Sequence, residues 1–195
     1  MIDAKSAEGA SDEELVKLTL QDQDNFLYLV DRYKGRLLSY IRRLTNVNNE
    51  DAEDALQEVF IKVYSNLNGF NKDLKFSSWV YRIAHNQVIS NHRKLKARPE
   101  GYAVSIDDQA ARKLAAEIDI ASGADLQILQ VNIAKVLDKL AGKYREALIL
   151  KFWEEKSYQE ISDIIKKPPG TVASTINKAK QEFKKELARQ NLNLI

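Results

Sequence analysis

The sequence predicts an all-α protein of two small helical domains joined by a flexible linker, the C-terminal domain being a helix-turn-helix. Three observations lead to this fold class. Apolar residues recur at steps of three and four along most of the chain, which is the spacing of a helix face. Only 7 glycines and 3 prolines occur among 195 residues, so few β-turns are expected. A weakly periodic, acidic stretch over residues 99–125 separates the two periodic blocks.

The N-terminal block, residues 1–98, is predicted to be a helical domain. Ser11 and Glu14 have the capping-box spacing, so a short helix is expected over residues 11–22. Three longer apolar stripes follow, and the polar run 46–49 separates the first of them from the second. Ser77 is expected to cap the last helix of the block. The predicted long helices cover residues 26–44, 50–67 and 77–98.

The C-terminal block, residues 126–195, is predicted to be a second helical domain. Its apolar stripes cover residues 126–140, 144–153, 158–165 and 172–187. The run Lys166-Lys167-Pro168-Pro169-Gly170 interrupts the last two stripes. A short helix, a tight break and a second helix form the helix-turn-helix pattern. Between the two blocks, the acidic linker 99–125 leaves room for a short helix around residues 108–118.

Composition excludes several kinds of site. The chain has no cysteine, which excludes disulfides, thiol nucleophiles and cysteine-bound zinc. It has only 2 histidines, His85 and His92, so a histidine-rich metal centre is not expected and no cofactor is predicted. No apolar run approaches the roughly 18 residues of a membrane span, and the acidic N-terminus does not resemble a signal peptide. These features favour a cytoplasmic protein.

Charge is segregated along the chain, although the formal net charge is only +2. Residues 1–30 carry a net charge of −5, residues 31–98 carry +6, residues 99–126 carry −4 and residues 127–195 carry +5. Two basic modules separated by an acidic segment are typical of a protein that binds a polyanion. Ordinary solvated helix surfaces are the alternative explanation.

The second helix of the helix-turn-helix pattern carries side chains suited to DNA. Opposite its apolar stripe lie hydrogen-bonding groups of the size that reads base edges. These are Thr171, Ser174, Thr175, Asn177, Lys178 and Gln181. Several lysines nearby, Lys167 among them, are placed to contact phosphates. The alternative is a helical hairpin with a solvated basic face.

Aromatic and basic residues alternate over residues 70–82, a composition suited to single-stranded nucleic acid. Trp79 falls on the inward stripe of its helix and is interpreted as core. Tyr81 and Asn86 fall away from that stripe, and with Phe70 they are predicted to line a pocket for one extruded base. Lys72, Lys75 and Arg82 are expected to follow the nucleic-acid backbone.

An acidic helix face over residues 50–58 is unusual inside a basic module. It repels DNA, so the sequence favours contact with a basic protein surface. Charges that complement the helix dipole explain its first turn but do not extend to Gln57 and Glu58. A metal site or a catalytic pair of carboxylates is a further alternative, but the sequence offers no additional ligand or nucleophile for it.

Three segments in this order resemble the extracytoplasmic-function (ECF) sigma factors, the small two-domain specificity subunits of bacterial RNA polymerase. DAEDALQEVFIKVY (51–64) is similar to the polymerase-binding helix of that family, and FSSWVYRIAHN (76–86) is similar to its promoter-melting helix. KYREALILKFWEEKSYQEISDIIKKPPGTV (143–172) is similar to its C-terminal helix-turn-helix. The resemblance covers residues 12–188.

The resemblance implies a cytoplasmic, non-enzymatic alternative sigma factor that directs promoter recognition and DNA melting. Residues implied to dock on the polymerase clamp are Asp51, Asp54, Gln57 and Glu58. Residues implied to hold the minus-ten element are Phe70, Asn71, Lys72, Lys75, Tyr81, Arg82 and Asn86. Residues implied to face the minus-thirty-five element are Lys167, Thr171, Ser174, Thr175, Asn177 and Lys178. The implied partners are core RNA polymerase, duplex and single-stranded promoter DNA, and an anti-sigma factor.

The chain departs from the family pattern at several positions. The family usually has basic residues where this chain has Ala173 and Thr175, which weakens the expected grip on phosphates. Pro168 and Pro169 are unusual in the turn and are expected to stiffen the entry to the second helix. These differences leave the promoter sequence open.

The residues themselves leave other functions open. A stand-alone helix-turn-helix regulator would bind duplex DNA without polymerase, and the acidic face and the aromatic segment 70–81 would then have no role. A small helical enzyme would use the carboxylates of residues 50–58 with a bound metal ion. A plain interaction module would show no dependence on DNA.

Overall fold

The structure, a computed structural model, describes residues 4–92, 108–118 and 126–190, with side chains for residues 6–89, 109–118 and 130–190. Helices make up most of these ranges, and no strand lies within them. The all-α prediction is therefore confirmed. The described residues divide into two units, the first built from residues before position 98 together with Asp163–Ile165, and the second from the other residues after position 97. The predicted helical extension through residues 93–98 lies outside the described residues.

The described part of the first unit contains five α-helices. They are α1 (Ala4–Gly9), α2 (Asp12–Gln21), α3 (Phe26–Thr45), α4 (Asn49–Asn66) and α5 (Phe76–His92). Short 3₁₀ turns at Gln23–Asn25 and Leu67–Gly69 precede α3 and follow α4. The helices predicted over residues 11–22, 26–44 and 50–67 are therefore confirmed.

Local hydrogen bonds fix the ends of these helices. Ser11 caps α2, since its Oγ accepts the Glu14 N–H at 3.2 Å and Glu14 Oε2 accepts the Ser11 N–H at 2.7 Å. Helix α3 ends at Asn46, whose left-handed φ of 53° suits asparagine better than most residues. Asn48 Oδ1 then accepts the Asp51 N–H at 2.7 Å and begins α4. The predicted polar break is thus a turn held by a cap on each side.

Ser77 does not cap α5, so that prediction is wrong. The helix begins at Phe76, and Ser77 lies inside its first turn. The Trp79 N–H donates to the Lys75 carbonyl at 3.2 Å, so Lys75 rather than Ser77 is the residue that directly precedes the helix and accepts its first hydrogen bond. Packing decides this boundary, because the buried Phe76 ring lies 5.6 Å from the ring of Tyr33 and 5.5 Å from that of Phe70.

The core of the first unit lies between α2, α3, α4 and α5. Its largest fully buried side chains are Leu15, Leu29, Leu37, Tyr40, Ile41, Phe76 and Tyr81. Asp12 ties α2 to α3, because its Oδ1 accepts from Arg32 Nη1 at 2.8 Å and its Oδ2 accepts from the Tyr33 hydroxyl. Burial and this carboxylate raise the pKa of Tyr33 well above its usual range, so the hydroxyl remains a neutral donor.

The described part of the second unit also contains five α-helices. They are α6 (Asp108–Glu117), α7 (Leu126–Lys139), α8 (Gly142–Leu148), α9 (Tyr158–Ile165) and α10 (Pro169–Arg189). A π-helical turn, Ile149–Trp153, continues α8. The Glu154 N–H donates to the Ile149 carbonyl at 3.1 Å and closes this wide turn. Phe152 is buried and Trp153 is half-buried, so Phe152 is the inward residue of the predicted 144–153 stripe.

Helix α6 belongs to the second unit, although its residues lie in the predicted linker. Its apolar face joins a cluster with residues of α7, α8 and α10. The buried members of this cluster are Ala111, Leu114, Ala115, Ile118, Ile133, Val136, Leu137, Leu140, Leu148, Phe152, Ala179, Phe183 and Leu187. Lys180 Nζ also lies 2.9 Å from Glu117 Oε2. The short helix expected around residues 108–118 is present, and its packing was not evident from the weak periodicity of the linker.

Replacing Leu114 by alanine will lower the free energy of unfolding of the second unit by roughly 2–5 kcal/mol, because it removes buried methyl groups and leaves a cavity. Urea denaturation followed by Trp153 fluorescence in a Trp79→Phe background measures this loss, since Trp153 packs against the same cluster. The exposed neighbour Arg112 provides the control, and Arg112→Ala will change stability by less than about 0.5 kcal/mol. Equal effects of the two substitutions would show that α6 is not part of the folded unit.

Candidate functional site

An aromatic cluster positions the loop before α5 and the first turns of that helix. Phe70 lies 5.5 Å from Phe76 and 5.3 Å from Trp79, measured between ring centroids. Phe70 is only 7 % exposed, so the prediction that its ring is open to an extruded base is wrong. It instead supports Trp79 from within the core. Apolar burial in a tight turn explains this placement, because the Phe70 N–H also bonds the Leu67 carbonyl at 3.2 Å.

Tyr81 is fully buried, which contradicts its predicted place in a base pocket. Its ring lies 5.2 Å from that of Tyr40 in an edge-on arrangement within the core of the first unit. Trp79, which was predicted to be core, is half-buried and lies on the surface of the unit. The prediction therefore exchanged these two residues of α5 between the core and the surface.

A cleft of about 460 Å³ lies between α4, the 3₁₀ turn Leu67–Gly69 and α5. Its lining residues are Lys62, Asn66, Gly69, Trp79, Arg82, Ile83 and Asn86. Two of these residues, Arg82 and Asn86, are among those predicted from the sequence to contact the minus-ten element. The cleft combines one aromatic side, an aliphatic side, two amides and two cations, so it offers both stacking and hydrogen bonding to a flat polar ligand.

Helical spacing was the signal that the sequence analysis missed. Lys62 and Asn66 are four residues apart on α4, and Trp79, Ile83 and Asn86 are four and three residues apart on α5. Each set therefore lies on one helix face. A polar face on α4 and a mixed aromatic and polar face on α5 form this cleft because the two helices pack together.

The loop residues predicted to contact the minus-ten element are exposed but lie outside the cleft lining. Asn71, Lys72 and Lys75 are all exposed between the 3₁₀ turn and α5. Asn71 Oδ1 accepts the Asp73 N–H at 2.9 Å, and the Leu74 N–H donates to the Asn71 carbonyl at 3.1 Å. This turn holds the loop backbone in place and leaves the two lysines at the surface.

The acidic face of α4 is exposed as predicted. Asp54, Gln57 and Glu58 are exposed, and Asp51 is half-buried at the start of the helix. Glu58 Oε2 also accepts a hydrogen bond from Gln87 Nε2 of α5. Among the described residues, no group of three or more histidine or carboxylate side chains is arranged to hold a metal ion.

Helices α9 and α10 form the predicted helix-turn-helix. Ser157 caps α9, because its Oγ accepts the Glu160 N–H at 3.2 Å and Glu160 Oε2 accepts the Ser157 N–H at 2.9 Å. The helix ends at Lys166, which has a left-handed φ of 55°. Pro169 occupies the first turn of α10, where a missing N–H costs no hydrogen bond. The tight turn of residues 166–168 connects the two helices.

The outer face of α10 and the turn before it carry the residues predicted for DNA contact. Lys167, Thr171, Ser174, Asn177 and Lys178 are exposed, and Thr175 is half-buried. The opposite face is buried through Val172, Ile176, Ala179, Phe183 and Leu187. The Ser174 and Thr175 hydroxyls donate to the Thr171 carbonyl at 2.9 and 2.7 Å, so their oxygens remain available to accept hydrogen bonds from bases.

A helical unit with a basic, hydrogen-bonding recognition helix is typical of helix-turn-helix transcription proteins. Residues 29–98 match the family model of Sigma-70 region 2, and residues 130–183 match that of Sigma-70, region 4. The ECF RNA polymerase sigma factor SigW of Bacillus subtilis is 34 % identical over 175 residues, which cover 85 % of this chain and 90 % of that protein. The ECF RNA polymerase sigma-E factor of Escherichia coli K12 is 32 % identical over 165 residues, covering 82 % and 85 %.

Solved structures have the same fold. The structure of CnrH in complex with the cytosolic domain of CnrY matches with a TM-score of 0.66 at 22 % identity, covering 92 % of this chain and 99 % of that one. The sigma factor RpoE of Bartonella quintana, in complex with the anti-sigma factor NepR, matches with a TM-score of 0.60 at 20 % identity, covering 84 % and 97 %.

The chain belongs to the ECF RNA polymerase sigma factors. It is therefore an alternative sigma factor, which binds core RNA polymerase and directs promoter recognition at transcription initiation. Within the described residues, no helix is both long enough and apolar enough to cross a bilayer.

Replacing Tyr81 by alanine will lower the stability of the first unit by roughly 3–5 kcal/mol, because the ring is fully buried against Tyr40. Urea denaturation followed by far-UV circular dichroism measures the loss. The exposed residue Asn86 gives the comparison, and Asn86→Ala will change stability by less than about 0.5 kcal/mol. A Tyr81→Ala chain of normal stability would restore Tyr81 as a candidate for DNA contact.

Proposed function

We propose that the exposed acidic face of α4 docks on a basic surface of core RNA polymerase through Asp51, Asp54, Gln57 and Glu58. The continuity of this face supports the proposal, because its three exposed members fall within two turns of one helix. Exposed carboxylates steer and orient association with a cationic partner. They also keep this side of the unit away from DNA phosphates.

Removing the charge of this face will abolish stable assembly with polymerase. The variant carries Asp51→Ala, Asp54→Ala and Glu58→Ala, and the measurement is co-migration with bacterial core RNA polymerase on a sizing column. A control variant carries Glu13→Ala, Asp24→Ala and Asp31→Ala. It removes the same charge from α2, from the 3₁₀ turn Gln23–Asn25 and from α3. Loss of co-migration in both variants would indicate a general charge effect. Co-migration of the Asp51, Asp54 and Glu58 variant with polymerase would contradict the assigned surface.

The cleft between α4 and α5 is the proposed site for one extruded base of the minus-ten element. The observation that carries this assignment is that the half-exposed Trp79 ring and the Asn86 amide line the same cavity. A base needs an aromatic or apolar surface for its face and both donors and acceptors for its edge. Trp79 and Ile83 supply the first, and Asn86 and Asn66 supply the second.

Cations around the cleft are proposed to hold the backbone of the same strand. Lys62 and Arg82 line the cavity, and Lys72 and Lys75 are exposed on the neighbouring loop with Asn71. Phosphate contacts of this kind position a strand without reading its sequence. Binding energy from stacking and from these contacts favours the separated strands, so melting needs no nucleotide hydrolysis by this chain.

The outer face of α10 is proposed to read the minus-thirty-five element as duplex. Asn177 offers a bidentate amide, Thr171, Ser174 and Thr175 offer hydroxyl oxygens, and Lys167 and Lys178 offer cations. Ala173 and Thr175 contribute no charge, so the phosphate contacts expected at these two positions are weaker. The proposed modules are residues 1–98 and 126–195, and α6, which lies in the acidic segment 99–125, packs with the second of them.

An anti-sigma factor is proposed as a further partner, because two solved structures with this fold are complexes, one with the cytosolic domain of CnrY and the other with the anti-sigma factor NepR. The chain is proposed to act without catalytic activity of its own, with polymerase performing the chemistry. The chain is proposed to act in the bacterial cytoplasm, where promoter DNA is bound.

Replacing Trp79 by alanine will weaken single-strand binding by the holoenzyme by about 1–3 kcal/mol, the loss expected for one stacked base. The measurement is selection of single-stranded 20-mers of random sequence on the immobilised holoenzyme, followed by sequencing. The wild-type holoenzyme will enrich a motif that Trp79→Ala fails to enrich, whereas Asn86→Ala will enrich a motif that is relaxed at one position. An unchanged motif in both variants would exclude the cleft as the reading site.

A further inference from the structure

One buried amide contacts both of the candidate surfaces of the first unit. Gln87 lies on α5 and is only 2 % exposed. Its Oε1 accepts a hydrogen bond from Lys62 Nζ, and its Nε2 donates to Glu58 Oε2. Lys62 lines the cleft, and Glu58 belongs to the acidic face of α4. The side chain of Gln87 therefore links a cation of the base site to an anion of the polymerase-binding face.

The chemistry of the three groups fixes the orientation of this amide. An ammonium group only donates and a carboxylate only accepts, so a flipped amide would lose both hydrogen bonds. The positive NH₂ end of the amide thus faces the Glu58 carboxylate, and its negative oxygen faces the Lys62 ammonium group. The charge of Glu58 therefore strengthens the hydrogen bond to Lys62, and the charge of Lys62 strengthens the hydrogen bond to Glu58. Because the amide is buried, a change in the charge of Glu58 alters how strongly Oε1 holds Lys62.

We propose that Gln87 is a positioning residue that couples polymerase docking to base capture. A cation of the partner that engages Glu58 withdraws it from Gln87 Nε2, which makes Oε1 a weaker acceptor. Lys62 is then released to contact a phosphate or base in the cleft. The affinity for single-stranded DNA rises only after Glu58 is engaged, which restrains the free chain from binding nucleic acid. This coupling rests on the proposed function of the cleft.

The substitution Glu58→Gln tests the coupling without polymerase, because it removes the charge that docking neutralises. The probe is a fluorescein-labelled pool of single-stranded 20-mers of random sequence, and the readout is the dissociation constant of the full chain by fluorescence anisotropy. We expect Glu58→Gln to raise the affinity about threefold or more in the chain with Gln87, and to have little effect after Gln87→Met. Methionine has a similar length, and Lys62 and Glu58 are exposed, so both charges are hydrated in that variant.

A second background avoids any change to the buried residue. Lys62→Met removes the cation that the coupling is proposed to release, so Glu58→Gln is expected to lose its effect there as well. Glu53→Gln provides the charge control, since Glu53 is exposed on the same helix about 140° around the axis from Glu58. An equal gain from Glu58→Gln in all backgrounds, or a gain no larger than that of Glu53→Gln, would overturn the coupling in favour of long-range electrostatics.

Trp79→Ala separates failure of the coupling from failure of the cleft. Weaker binding by Trp79→Ala, together with a background-independent effect of Glu58→Gln, would overturn only the role of Gln87. Equal binding by wild type and Trp79→Ala would overturn the cleft assignment and the coupling with it. Weaker binding by Trp79→Ala, together with a gain from Glu58→Gln that needs both Gln87 and Lys62, would support both.

Discussion

The packing of Phe76 at the start of α5 is the contact on which the functional arrangement of the first unit depends. Phe76 is buried against Tyr33 and Phe70, and this fixes the rotation of α5 about its axis. With that rotation set, Val80, Tyr81 and Ala84 point into the core. Trp79, Ile83 and Asn86 then line the cleft, since residues at these spacings share one face.

The sequence predicts where a helix lies far more directly than it predicts which side of that helix is buried. The stripes on α3, α4 and α10 each have one apolar side, so periodicity predicts both the helix and its buried face. Helix α5 carries apolar residues on its buried face, such as Tyr81 and Val88, and also outside that face, at Trp79, Ile83 and Ile89. Its apolar residues therefore do not define a single stripe, which is why Trp79 and Tyr81 were exchanged in the prediction. The docking of α6 was also missed, because its apolar face of Ala111, Leu114, Ala115 and Ile118 is short and lies within an acidic segment that contains Pro99, Gly101 and Gly123.

Helix α4 contributes residues to two proposed binding surfaces of the first unit, and these residues lie on neighbouring turns of the helix. Its acidic residues lie on the face proposed for polymerase, while Lys62 and Asn66 reach the cleft proposed for a base. A rigid helix carries both, so the distance between docking surface and base site is fixed by the backbone. The second unit adds a recognition helix whose hydroxyl and amide groups suit duplex DNA. Polymerase docking and base capture are thus proposed for the first unit, and duplex recognition is proposed for the second. Within each unit the fold holds these surfaces in defined positions.

The central claim is that one unpaired base enters the cleft beside Trp79. The direct measurement places 2-aminopurine, one position at a time, along a single strand enriched by the holoenzyme and records its fluorescence in the bound state. The account predicts one position at which stacking on Trp79 quenches the probe, and predicts that Trp79→Ala removes this quenching at that position alone. The same fluorescence profile in wild type and Trp79→Ala would contradict the account.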